Sequence, residues 1–138
     1  MSLFSQTPSQ RMIKKICVLE DTEAILELVH IILEEEGYEV YGFDTVTGFN
    51  ENIAVLSPDL FLLDVMLPDG SGLDVCKELK EAENTGHIPV IMMTANSRIS
   101  SMKDSCPADE FIAKPFDIDH LVATIKQLIA NSSVEQSI

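Results

Sequence analysis

Basic residues are scarce in this chain and absent from nearly half of it. Its 138 residues include 9 Lys and Arg against 23 Asp and Glu, for a formal charge of −14. No Lys or Arg occurs from Ile16 through Cys76, yet 14 acids fall between Glu20 and Asp74. The rest of the chain carries 9 acids and 9 bases and is neutral. Nucleic-acid binding works by replacing condensed counterions with Lys and Arg, so no direct nucleic-acid partner is expected. Cysteine is also sparse. Cys17, Cys76 and Cys106 are too few and too scattered for a disulfide framework or a CxxC metal site. No apolar run approaches the ~18 residues of a membrane span, and no signal-peptide core opens the chain. A reduced, cytoplasmic, soluble protein with no membrane partner is the expectation.

What is present suffices for one folded domain. Hydrophobic residues make up 46% of the chain, enough to close a core, and the length fits the ~100–200 residues of a single domain. Residues 1–12 read as a polar N-terminal tail, 13–131 as the domain and 132–138 as a C-terminal tail. Within the domain, strand and helix patterns alternate. Lys15 to Leu19, Tyr38 to Phe43, Asp59 to Leu63, Pro89 to Met93 and Glu110 to Ala113 read as strands. Helical spacing marks Thr22 to Glu36 (stopped by Gly37), Thr45 to Leu56, Leu73 to Glu83, a short Ser97 to Lys103, and Asp117 to Ala130. Leu67 to Gly72 reads as a turn by composition, and its Asp69-Gly70-Ser71-Gly72 lacks the ending of a phosphate loop. Five strand–helix units imply an α/β fold, a doubly wound parallel sheet with helices on both faces, because parallel strands need crossover connections.

Open α/β sheets carry their sites at the carboxyl ends of the strands. Those positions hold Glu20 and Asp21, Asp64, Thr94 and Lys114. Carboxylates crowded together repel by roughly 4 kcal/mol per pair at ~4 Å and an effective dielectric of ~20, which one lysine cannot offset. A divalent, oxygen-seeking cation can, and Mg²⁺ typically takes one or two carboxylates and keeps room for a phosphoryl group. No Cys or His stands at these ends, which argues against zinc. With a cation present Asp64 is a candidate nucleophile toward phosphorus, Lys114 a counter-charge for phosphoryl oxygens, and Thr94 a hydrogen-bond donor to them. Each residue alone has a plainer reading. Glu20 and Asp21 could be a solvated helix start, Asp64 a turn residue, and Lys114 a snorkelling surface lysine. The plain readings require four coincidences at one sheet edge.

Four segments in this order, ICVLEDTEAI, PDLFLLDVMLPDGSGLDVCKELK, IPVIMMTA and FIAKPFDIDHL, resemble the response-regulator receiver domain of two-component signalling. The resemblance covers nearly everything from Ile13 to Ile129. It implies a flavodoxin-like, five-stranded sheet of strand order 2-1-3-4-5. It also implies Asp64 as phosphoacceptor, with Mg²⁺ held by Glu20, Asp21, Asp64 and the backbone carbonyl of Met66. Thr94 and Phe111 would be switch residues, Lys114 the phosphate-binding lysine, and Lys114-Pro115 a cis peptide. The implied donor is a sensor histidine kinase or a histidine phosphotransfer protein, and the downstream effector is unspecified. In such a chain phosphate arrival would draw Thr94 inward, let Phe111 follow, and alter the face formed by the fourth helix, last strand and last helix.

Several positions depart from the family pattern. Glu20 stands where Asp is usual, a longer arm expected to reach the metal through water. Phe111 keeps the switch ring but lacks a hydroxyl, and Pro107 stands where Gly is frequent. The last helix lacks the Arg-containing dimer pattern of the DNA-binding subfamily, so a monomer or weak dimer is expected. One rival reading is an aspartate-nucleophile, Mg²⁺-dependent phosphohydrolase. That class wants a second Asp two residues after the nucleophile, where this chain has Met66. The other is a receiver-like binding module that works without phosphorylation, against which Asp64, Thr94 and Lys114 all stand. On the signalling reading the protein is not a turnover enzyme. Several acids of the base-free segment lie along the first helix, which in this family borders the donor's docking surface. A partner with a basic docking face is therefore expected.

Overall fold

A computed structural model describes residues 13–95, 103–104 and 106–136, with side chains as far as Ser132. Its strands are β1 (Lys15–Leu19), β2 (Glu39–Phe43), β3 (Leu60–Asp64), the two-residue β4 (Met66–Leu67) and β5 (Gly70–Ser71), β6 (Val90–Thr94) and β7 (Glu110–Ala113). Its helices are α1 (Glu23–Glu35), α2 (Val46–Leu56), α3 (Gly72–Glu81) and α4 (Ile118–Gln136). The main sheet is parallel throughout and ordered β2-β1-β3-β6-β7. Counting only these five strands, that is the 2-1-3-4-5 order implied by the resemblance. The turn after Asp64 is a small antiparallel hairpin, β4 against β5.

Period-2 alternation along the strands sorts side chains to the two faces. Cys17, Leu19, Phe61, Leu63, Val90, Met92 and Phe111 face one side, where Phe49 of α2 and Val75, Cys76 and Leu79 of α3 cover them. Ile16, Val18, Leu60, Leu62, Ile91, Met93 and Ile112 face the other, beneath Val29 and Leu33 of α1 and Leu121, Ile125 and Ile129 of α4. Phe61 and the four residues beside it in β3 are all buried, so the central strand reads as one apolar run. The three cysteines are buried free thiols, as expected of small hydrophobes, and burial pushes Cys17 up to about 12.

Helix ends follow local chemistry. Gly37, at φ +94°, takes the left-handed conformation that ends α1, and its amide donates to the Glu34 carbonyl. The Thr45 hydroxyl accepts from Gly48 N at the start of α2. Asp117 caps α4 by accepting from the amides of Asp119 and His120. That helix runs to Gln136, past the expected end at Ala130. Asn131, Ser132 and Ser133 break the apolar period, but no Gly or Pro stops the backbone there. The helix expected over 97–103 lies, apart from Lys103, outside the described residues.

Candidate functional site

The carboxyl edge of the sheet collects the residues singled out from the sequence. Glu20 directly follows β1, and its amide donates to the Phe43 carbonyl at 2.9 Å, which ties the end of β1 to the end of β2. Its side chain is fully buried. One carboxylate oxygen accepts from the Thr22 amide at 3.0 Å and the other from Lys114 Nζ at 2.6 Å. Asp64 is the last residue of β3. Its Oδ1 accepts from the Val65 amide at 2.9 Å, and its Oδ2 lies 3.3 Å from Lys114 Nζ. Glu20, Asp21 and Asp64 each offer an oxygen within 4.8 Å of the other two, with Asp21 the exposed member.

Charge balance explains the electrostatics. Burial first, and then the neighbouring Glu20 carboxylate, push Asp64 up to about 6, while the Lys114 ammonium pulls it back down. The extra methylene of Glu20 has a specific consequence here, because its longer arm captures the lysine more closely than Asp64 does. Three carboxylate oxygens with no thiol or imidazole among them form a hard donor set suited to a small divalent cation such as Mg²⁺. Two or more of them leave room for further oxygen ligands.

Sheet register places the remaining residues. Asp64 pairs with Met93, so Thr94 stands one step beyond it, and Thr94 pairs with Ala113, so Lys114 stands one step further still. The Lys114 amide donates to the Thr94 carbonyl at 2.8 Å, and the Lys114–Pro115 peptide is cis. Thr94 is buried. Phe111, paired with Met92, is already packed inward in the core on the α2–α3 side. The Met66 side chain projects into solvent, 78% exposed.

The segment from Val65 to Gly72 is drawn shut at its neck, where the Gly72 amide donates to the Val65 carbonyl at 2.7 Å. One residue of this turn reaches well beyond it. Asp69 accepts hydrogen bonds from Val46 N, Thr47 N and Thr47 Oγ1, at 2.8, 2.9 and 2.7 Å. Nothing local in the sequence announces this contact, because its partners lie more than 20 residues away.

A family model for the response regulator receiver domain matches residues 16–126. The chain belongs to this family. The receiver domain is 39% identical over 119 residues to the DNA-binding dual master transcriptional regulator RpaA of Synechocystis, covering 83% of this chain and 48% of that protein. It is 36% identical over 126 residues to the phosphate regulon transcriptional regulatory protein PhoB of Escherichia coli, covering 88% and 54%. It thus spans about half the length of these curated relatives. Among solved structures, a response regulator receiver domain protein of Methanospirillum hungatei superposes with a TM-score of 0.82 at 29% identity, covering 89% of this chain and 98% of that one. Among the described residues no helix is long and apolar enough to cross a membrane. As a receiver domain, the chain is a component of two-component signalling.

Proposed function

We propose that this receiver domain accepts a phosphoryl group on Asp64 from the phosphohistidine of a sensor histidine kinase or histidine phosphotransfer protein, and that the modification changes its affinity for an effector. The observation that carries the reading is the bridge of Lys114 between buried Glu20 and Asp64, beside Asp21. Glu20, Asp21, Asp64 and the Met66 carbonyl would hold Mg²⁺, which when bound supplies positive charge against carboxylate and phosphoryl oxygens. In the transfer, an Asp64 carboxylate oxygen forms the new bond to phosphorus as the phosphorus–nitrogen bond of the donor breaks. The electron pair stays on the imidazole nitrogen, which takes its proton from water. Lys114 offsets the charge of the phosphoryl oxygens, and Thr94 donates a hydrogen bond to one of them.

The output is a packing response to local charge. Thr94 moves toward the phosphoryl group, and the space it leaves favours an inward Phe111. Because Phe111 has no hydroxyl, no outward hydrogen bond opposes burial of its ring. The strong negative charge of the segment around α1 favours a donor whose docking face is basic. It also disfavours direct contact between this domain and nucleic acid. Such a domain is a signalling component with no substrate turnover of its own.

Labelling with a small acyl phosphate in the presence of Mg²⁺ tests the assignment. The wild-type chain is expected to gain one acid-stable, base-labile phosphoryl group, and Asp64→Asn none. Label persisting in Asp64→Asn would remove the proposal. Metal binding has its own readout. A tenfold excess of Mg²⁺ over its dissociation constant should stabilise the fold by about 1.4 kcal/mol, or about 4–6 °C in Tm. Asp21→Asn should remove most of that shift in a thermal melt, because it deletes a ligand without touching the buried Glu20–Lys114 pair. An undiminished shift in Asp21→Asn would place the cation elsewhere.

A further inference from the structure

We infer that Asp69 is a positioning residue for the phosphoacceptor pocket. By clamping the hairpin after Asp64 to the first turn of α2, it fixes where the Met66 carbonyl stands relative to Glu20, Asp21 and Asp64. The inference deepens the proposed Mg²⁺ reading and rests on it.

The clamp is a carboxylate seated on a helix start from outside the helix. Asp69 Oδ1 accepts from Val46 N at 2.8 Å, and Oδ2 accepts from Thr47 N at 2.9 Å and Thr47 Oγ1 at 2.7 Å. The third amide, that of Gly48, is satisfied by α2's own cap, Thr45. The orphan donors of this first turn are thus shared between a local residue and one brought in from the pocket loop. The partial positive charge of the helix start favours the anion. These hydrogen bonds, those from Thr47 and Val46 above all, hold the Asp69 carboxyl below the usual carboxylate range.

The position of α2 gives the clamp its significance. This helix begins just after Phe43, whose carbonyl accepts the Glu20 amide at 2.9 Å. Asp69 therefore closes a ring that runs from Glu20 through the β2–α2 junction to the hairpin and back to Asp64. The ring joins the β1 half of the acid cluster to the β3 half. Among the described residues the hairpin's tip has few other supports. Its two strands are only two residues each, and the Met66 side chain is in solvent. Leu67 packs partly buried against the core, and Gly70 approaches Val46 closely enough that an added Cβ would meet Val46 Cγ2 at 3.2 Å. A carbonyl ligand on so thin an element needs an outside support to stay in register with three carboxylates.

A purely structural role, capping α2, makes different predictions. The test is an Mg²⁺ titration of the ¹⁵N-labelled full chain followed by NMR, together with amide exchange over 65–72 in metal-free protein. Asp69→Ala is expected to raise the Mg²⁺ dissociation constant roughly 10-fold, the low end for loss of a support behind a ligand, while Thr45→Ala, which removes α2's own cap and leaves the hairpin clamped, stays close to wild type. Amides from Val65 to Gly72 should exchange faster in Asp69→Ala and unchanged in Thr45→Ala. Asp69→Asn, which keeps one acceptor oxygen, should fall between Asp69→Ala and wild type. Wild-type affinity in Asp69→Ala, or an equal loss in Thr45→Ala, would overturn the proposal. Failure of the wild-type chain itself to bind Mg²⁺ would overturn the metal reading beneath it, and that failure is distinguishable because it precedes any substitution.

Discussion

Alanine at position 72 is expected to destabilise the domain by about 3 kcal/mol or more, because an added Cβ there meets a closer neighbour than at any other glycine. A Cβ built there would stand 1.8 Å from the Asp64 carbonyl oxygen and 2.8 Å from its carbon, with Met92 Cε at 3.2 Å. Backbone, unlike a flexible side chain, cannot turn away. The Gly72 amide is also pinned to the Val65 carbonyl at 2.7 Å, so the neck of the loop cannot open without breaking that bond. Relief must come from moving the end of β3 or the start of α3. Either shift displaces Asp64, so whatever folds should also lose Mg²⁺ binding. Against a typical total stability of roughly 5–15 kcal/mol, such a loss should lower the urea midpoint sharply. Gly42→Ala is the control. Its Cβ would meet only the Leu26 side chain, at 2.9 Å from a terminal methyl carbon, and a small change is expected there. An unchanged urea midpoint in Gly72→Ala would mean that the β3–α3 junction has slack the geometry does not show.

Gly70 and Gly72 look alike in the sequence, two glycines in a turn-rich segment, and only the fold separates them. One faces Val46 across an open hairpin, and the other is wedged against the Asp64 backbone. The same division runs through the whole chain. Features set by short-range chemistry were legible: the apolar strands with acids at their ends, Gly37 closing α1, and the alternation that sends Cys17 and Leu19 to one face and Ile16 and Val18 to the other. From these and from the known order of such sheets, the convergence of Glu20, Asp21, Asp64 and Lys114 could be anticipated. Features set by long-range contact were not. The three hydrogen bonds that Asp69 accepts depend on where α2 begins in space. The extra methylene of Glu20 suggests reach toward a metal, and the fold adds a partner that spacing does not announce, Lys114, 94 residues away. The end of α4 was missed for a different reason. Polar residues mark where burial stops, and a helix continues past that point until its backbone is interrupted.

The capture of Lys114 by Glu20 leads to the second large effect. Lys114→Met in metal-free protein above neutral pH is expected to destabilise the fold by about 3–5 kcal/mol, the usual consequence of leaving a buried charge without its partner. Glu20 is fully buried, and without Lys114 its carboxylate would lose its one cationic partner among the described residues while keeping the Thr22 amide at 3.0 Å. Asp64 would lose the nearby cation that opposes its burial and its repulsion by Glu20. The dependence on pH has a definite sign. In the folded chain Asp64 already titrates at about 6 against an ordinary 3.8, so the folded state holds a proton that the unfolded chain has released. Stability attached to this group is therefore lost as pH rises through that window. Removing the lysine extends the loss to higher pH, so the variant should regain stability steadily as pH falls from 8 toward 5. Asp64→Asn alone, free of that charge, should be more stable than wild type at pH 8. Adding it to Lys114→Met should recover more than 1 kcal/mol beyond additivity, roughly the size expected of directly interacting groups. Mg²⁺ should recover part of the loss as well, since it places positive charge among the same carboxylates. Urea titrations of the four proteins at pH 5 and pH 8 decide the matter. Were Lys114→Met as stable as wild type at pH 8, the carboxylates would have to be neutral or solvated there, and the lysine would hold no part of the pocket together.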